Sequence, residues 1–286
     1  MDKSVAGWLN GFLGMLIFSG SLPATRVAVM DFDPMFLTVA RASIAGLVGC
    51  CVLAGLRVKR PGREDALSLL IIAIGVVVGF PLLTALALQH ITAAHSVVFI
   101  ALLPLATALF GVLRADERPK RAFWFFSVLG SSLVAGFALL NDASVSLIGD
   151  TFMLAAIIVC GMGYAEGAKL SRKLGGWQVI CWALLFSLPF MLIASLLLMP
   201  DSFADVGTPA WVGLGYVSFF SMLIGFIFWY RGLALGGIAT VGQLQLLQPF
   251  FSLLLAAVIL SEVVSTSMIV TSVLVVMCVV GARRMA

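Results

Sequence analysis

Apolar runs of about 20 residues, the length needed to cross a hydrocarbon layer about 30 Å thick, alternate along this chain with short polar connections. Ten runs are legible, at 5–26, 34–56, 66–88, 92–113, 121–140, 148–171, 177–199, 210–231, 238–260 and 264–282. Each predicts a helix, because within lipid a helix satisfies its own backbone groups. Most connections carry Gly, Pro, Asp or Arg, and they leave no room for a soluble domain or a long linker. The first run lacks an A-x-A cleavage site and nine more follow it, so it is expected to stay as a helix and not to be removed as a signal peptide.

The pattern also repeats. Pro104 and Glu117 stand 13 positions apart, as do Pro249 and Glu262, and an offset of 145 carries the first pair onto the second. An offset of 143 carries Gly20 onto Gly163 and Arg26 onto Lys169. The chain is therefore read as two five-helix repeats, 1–143 and 144–286, packed as one membrane domain. Internal repeats on this scale mark transporters. Five crossings per repeat is an odd number, so the second repeat enters from the opposite side and the two are inverted.

Charge sets the sidedness. With the N-terminus inside, the inner segments hold Lys3, Arg57, Lys59, Arg60, Arg63, Arg114, Arg118, Lys120, Arg121, Lys169, Arg172, Lys173, Arg231, Arg283 and Arg284, which is 15 of the 17 Lys and Arg. The outer segments carry Asp31, Asp33, Asp142, Asp150, Asp201, Asp205 and Glu262. Basic residues collect on the cytoplasmic side of membrane proteins. The expected fold class is thus an all-α integral membrane protein with ten transmembrane helices in two inverted five-helix repeats. It would be multi-pass in the cytoplasmic (inner) membrane, with both termini cytoplasmic. Composition agrees: 10% of residues are charged, against about 25% in soluble domains.

Several function classes drop out. No loop interleaves basic and aromatic residues, so nucleic acid is not expected as a partner. The five cysteines lie in apolar runs without metal-ligand spacing, so neither metal nor other cofactor is expected. HExxH, GxSxG and Walker A patterns are absent, which argues against an enzyme or an ATP-driven pump. No obligate protein partner is evident. Trp8, Trp124, Trp177, Trp211 and Trp229 fall near helix ends and read as an interfacial belt. Ala42 with Gly46, and Gly163 with Gly167, have the spacing of close helix packing. His90 and His95 lie near the outer end of the third and fourth helices and read as helix-end hydrogen-bonding groups.

The ninth run carries the densest polar signal. At 100° per residue, Gly242, Gln245, Gln248, Pro249 and Ser252 share one stripe about 120° wide, with Gln243 off it. Pro249 also leaves a carbonyl without its helical donor. Two readings stand: the stripe lines a substrate path, or its amides bond to other helices. The matching stripe of the fourth run is Val97, Ile100, Leu103, Pro104 and Thr107, mostly apolar. If the two face each other, one wall of the cavity is polar and the other greasy, which suits an amphipathic solute such as an aromatic or branched amino acid. Arg41 lies about 10 Å into its run and either meets a substrate carboxylate or clamps carbonyls, Asp31 or Asp33. Glu166 either carries a coupling proton or pairs locally with Lys169. Glu117 and Glu262 precede the fifth and tenth helices and complement their dipoles.

Ala87-Leu88, Pro104 and Glu117 in one half, with Ala234-Leu235, Pro249 and Glu262 in the other, resemble the drug/metabolite transporter superfamily and its EamA-type ten-helix carriers. Overall the chain is most similar to the YddG-type exporters of aromatic amino acids. It departs from members that carry a Trp before a small-residue pair in the first helix, reading Phe18-Ser19-Gly20-Ser21 there. The resemblance implies export of small amphipathic metabolites, amino acids including aromatic ones, by alternating access, without a cofactor. A lipid or drug flippase of the same fold is the alternative. The implied partners are a small-molecule substrate and membrane lipid.

Overall fold

Polar residues at the ends of the apolar runs start and stop the helices. Asp33 Oδ1 accepts from the N–H groups of Met35 and Phe36, both at 2.9 Å, and Pro34 occupies the first helical turn. Gly175 (φ 87°) and Gly237 (φ 92°) each form a one-residue link between helices, in a backbone region that side chains disfavour.

The computed structural model describes residues 2–87, 89–91, 93–141, 146–260 and 266–285. Leu88, Asp142 and Glu262, singled out above, lie outside them. Among the described residues there is no strand, and the helical runs are labelled in chain order. They are α1 (Lys3–Ala28), α2 (Pro34–Gly55), α3 (Arg63–Ala87), α4 (93–115), α5 (Arg121–Asn141), α6 (Leu147–Leu174), α7 (Gly176–Leu197), α8 (Thr208–Gly236), α9 (238–260) and α10 (Thr266–Met285). Among the described residues, seven helices are long and apolar enough to cross a membrane: α1, α2, α3, Val98–Ala115 of α4, α6, α7 and α8.

Close packing rests on glycine. A Cβ on Gly7 would fall on the backbone of Gly236, and one on Gly232 on the backbone of Gly11, so α1 and α8 touch main chain to main chain. In α2, Gly49 faces Cys181 of α7, and Gly46 faces Leu184 and Leu188. Gly163 packs on Gly75 and Val76 of α3, and Gly167 lies under the Tyr230 ring. The further strong pairings are α5 with α10, and α6 with α3 and α4. Gly232→Ala must push two backbones apart and is expected to cost about 1–3 kcal/mol or more. Gly136, whose added Cβ meets nothing within 4 Å, is the control. Its change to Ala should leave stability level or raise it by about 0.5–1 kcal/mol. Thermal melts of the two purified variants check this.

Candidate functional site

Among the described residues, five helices lose regular winding. In α1, Pro23 has no N–H to give to the carbonyl of Ser19, and the helix breaks at Gly20. Ser252 of α9 supplies the missing bond, its Oγ donating to Ser19 O at 2.8 Å. Ser19 Oγ donates to Met15 O at 3.0 Å and reaches Gln248 O at 3.4 Å. Tyr216 of α8 fills the break from the other side, its hydroxyl against Gly20 and donating to Ile17 O at 2.9 Å.

In α9 the winding tightens to a 3₁₀ helix over Gln243–Leu247, just before Pro249. Here the structure corrects the sequence reading twice. The carbonyl deprived by Pro249 is that of Gln245, and it accepts instead from the Gln248 N–H, so it is not free. The tighter turn also rotates the wheel, since three residues per turn replace 3.6. Gln243, off the stripe, is buried as well, as is all of 241–247, and it donates from Nε2 to Ala239 O at 3.5 Å. In α4 the helix is interrupted at Ala101–Leu102, where Leu102 N–H donates to Phe99 O at 2.8 Å. Subtracting 145 from 243–247 gives 98–102, so both Pro-bearing helices are irregular at equivalent positions. α3 and α8 share another irregularity, π-helical segments at Ala73–Gly79 and Tyr216–Ile224. Such segments occur often at functional sites.

A polar and aromatic cluster forms where α1, α6, α8 and α9 meet. Gln245 is 3% exposed, and its Nε2 donates to the Tyr164 hydroxyl at 3.2 Å. The Tyr164 ring lies edge-on to Trp229 with centroids 5.6 Å apart and to Phe226 at 6.1 Å. Phe18 closes the cluster against Phe226 at 5.0 Å and Trp229 at 6.1 Å. Among the described residues, Gln245 Oε1, Gln243 Oε1, Trp229 Nε1 and the Thr107 hydroxyl are buried without a hydrogen-bond partner. A buried polar atom left alone costs about 1–3 kcal/mol. Of these, Gln245 Oε1 and Trp229 Nε1 belong to the cluster around the Tyr164 ring.

The other expected site residues divide. Leu103, Pro104 and Thr107 of α4 are buried, and Thr107 lies against Gly242 of α9, whose added Cβ would meet its Cγ2 at 3.3 Å. Ile100, Gln248 and Pro249 are half-buried. The side chain of Val97 lies outside the described residues. Arg41 sits on α2, which packs on α7, the π segment of α8 and the end of α3. Its Nε is buried without a partner among the described residues. The acids proposed as its clamps are engaged elsewhere: Asp31 accepts from Gly207 N at 2.8 Å and Asp33 caps α2.

The basic end is tied by ion pairs, and Glu166 takes part with a different partner from the one expected. Glu166 is fully buried and bonded by Arg114 Nε of α4 and, at 2.8 Å, by Ser68 Oγ of α3. Lys169, three residues on, is exposed. Because α6 runs on to Leu174, Glu166 lies two turns from its end and faces neighbouring helices. Glu117 also does something other than serve α5. Its carboxylate accepts from Ile238 N at 2.7 Å and Ala239 N at 2.8 Å, capping α9, and Arg172 of α6 donates to it at 3.1 Å. Lys173 bonds Asp65 at 2.8 Å and Glu64 at 3.1 Å, tying α6 to α3. At the opposite end His95 Nε2 lies 3.1 Å from Asp150 Oδ1.

Tyr164, Phe18 and Trp229 were not expected in the site. The sequence places Trp229 near a helix end, as a belt residue, but α8 continues to Gly236 and the indole is fully buried.

An all-helical bundle with seven candidate spans and a buried polar cluster at broken helices is a multi-pass membrane protein. The model of the EamA-like transporter family matches residues 5–140 and again 147–283, and the chain belongs to that family. It is 64% identical over all 286 residues of both chains to an uncharacterized transporter, YdeK, of Bacillus subtilis strain 168. It is 24% identical over 263 residues, 92% of this chain and 88% of the other, to a probable terminal-alkyne amino-acid exporter of Streptantibioticus cattleyicolor. A solved crystal structure aligns with TM-score 0.82 at 20% identity, covering 97% of this chain and 96% of that one, which shows the fold.

Proposed function

We propose that this transporter exports small amphipathic metabolites, chiefly amino acids including aromatic ones, across the cytoplasmic membrane by alternating access. In this reading ten helices cross the membrane as two inverted five-helix repeats, 1–143 and 144–286, with both termini cytoplasmic. The positive-inside charge pattern supports the orientation. The family match to each half and the equivalent irregularities of α3 with α8 and α4 with α9 support the repeats.

The observation that carries the substrate class is the buried, unpartnered Gln245 Oε1 and Trp229 Nε1 beside the rings of Tyr164 and Phe18. An amide oxygen accepts from an ammonium group, an indole N–H donates to a carboxylate, and the rings take an apolar side chain. The amino-acid exporter relative points the same way. Gln248, beside Pro249, extends the polar wall, Ile100, Leu103 and Pro104 supply the apolar one, and Ser252 holds α1 to α9 beside them. Arg41 offers its guanidinium as a further contact for a carboxylate on the path. The small-molecule substrate and the surrounding lipid are the partners in this scheme.

In this reading Glu117, which caps α9 from the end of α4, helps to keep the cytoplasmic end closed. In this scheme opening that end separates α4 from α6 and parts Arg114 from Glu166, which makes Glu166 the candidate coupling residue. In proteoliposomes loaded with labelled phenylalanine or leucine, efflux should rise when a pH gradient is imposed. Glu166→Gln should bind substrate yet lose the pH-driven part. Gradient-driven efflux kept in full by that variant would remove Glu166 from coupling. Absence of amino-acid flux in the wild type, with labelled lipid moving instead, would favour the flippase reading.

A further inference from the structure

At the basic end, outside the Gln245 cluster, α2 and α7 diverge and leave a groove. One part, about 580 Å³, lies among Lys59, Arg60, Pro61 and Trp177. The next, about 410 Å³, runs along Cys50, Leu53, Ala54, Trp182 and Leu185. Val58 and Arg60 line both, so the two parts adjoin. At 1.5 Å per residue from the start of α7, Trp182 and Leu185 lie about 9 and 14 Å beyond Gly176 along the helix. The groove therefore passes from an exposed basic rim to an apolar wall at the depth of one leaflet.

Three observations identify an occupant. Lys59 and Arg60 are exposed cations with no ion pair among the described residues. Lys173, also on the rim, is paired with both Asp65 and Glu64, which line the same part, so Lys59 and Arg60 leave the rim net positive by one charge. The Trp182 indole N–H is buried and has no partner among the described residues. A ligand that fits must offer negative charge at the rim, an acceptor one to two helical turns deeper, and a hydrocarbon chain against Leu53, Ala54 and Leu185. An anionic phospholipid has these in that order: phosphate, ester carbonyl and acyl chain. We propose that the groove between α2 and α7 is a binding site for one anionic phospholipid of the basic-side leaflet, with Lys59 and Arg60 on its headgroup and Trp182 on its ester.

Fluorescence quenching by acyl-brominated lipids tests this on the full chain in vesicles. Brominated phosphatidylglycerol, mixed into unlabelled phosphatidylcholine, should quench the wild type at lower mole fraction than brominated phosphatidylcholine does. Each basic residue near an anionic surface contributes attraction worth about fivefold in affinity. Lys59→Gln with Arg60→Gln should thus shift the phosphatidylglycerol midpoint by about 10- to 25-fold and leave phosphatidylcholine unchanged. Trp182→Phe should remove the phosphatidylglycerol-specific component, whereas Arg118→Gln should not. Equal quenching of the wild type by both lipids would overturn the proposal. So would selectivity that survives the double change, or inorganic phosphate displacing the lipid at millimolar concentration. Thermal melts of each variant show that it is folded, so that lost selectivity reports the groove.

Discussion

Arg114→Leu is expected to destabilise this protein more than any other single change at its basic end, by about 3–5 kcal/mol. The Arg114 side chain is 42% exposed, whereas that of Glu166 is fully buried. Removing the arginine strands a carboxylate among α3, α4 and α6, with one hydroxyl, Ser68 Oγ, left to bond it. Removing the acid instead frees an arginine that can turn to water, so Glu166→Leu should cost clearly less. Replacing both by Leu should recover most of the loss, because an ion pair taken out of water gains little over apolar packing. Thermal melts across this cycle give the order. Equal losses for the two single variants would mean that the pair is effectively solvated and does not hold the helices together.

Gln245→Leu should weaken amino-acid binding by about 10- to 150-fold, the worth of a hydrogen bond to a charged group. Leucine is similar in size but removes every donor and acceptor of the amide. The change also deletes the bond to the Tyr164 hydroxyl, so a modest loss of stability is expected with it. Gln248→Leu should act less strongly, since Gln248 is only half-buried. Leu103→Ala should instead alter preference among side chains of different size, through the apolar wall. If Gln245→Leu and Gln248→Leu bind normally but melt early, the amides join helices and the solute sits elsewhere.

Much of the architecture is legible in the linear pattern. Apolar windows locate the helices to within a few residues, because a hydrocarbon-spanning helix needs a fixed length. The equal Pro-to-Glu spacings single out α4 and α9, and both prove irregular just before their prolines. The wheel over 242–252 fails in detail for a physical reason. It assumes uniform winding and one lining face, whereas 243–247 winds as a 3₁₀ helix that re-satisfies the Gln245 carbonyl and 241–247 is buried on every side. Partnerships across the bundle are not legible at all. Glu117 precedes α5 in sequence but caps α9, and Glu166 passes over nearby Lys169 for Arg114, 52 positions away. Such choices depend on how helices rotate against one another, which the glycine contacts decide. Tyr164, Phe18 and Trp229 escape for the same reason, since aromatic residues in an apolar run give no sign of which ones converge.

The placement of substrate at Gln245 is tested most directly by protection of a thiol there. All five native cysteines are free and are first replaced by Ala or Ser. Gln245→Cys is then introduced, and the protein in proteoliposomes is treated with a small membrane-permeant thiol reagent over a range of phenylalanine concentrations. The account predicts that phenylalanine slows modification of position 245 with a midpoint matching the transport KM of that same variant, itself raised by loss of the amide, while a cysteine at Arg118 reacts at an unchanged rate. Modification of position 245 at the same rate with and without saturating phenylalanine, in protein that still transports it, would contradict the account.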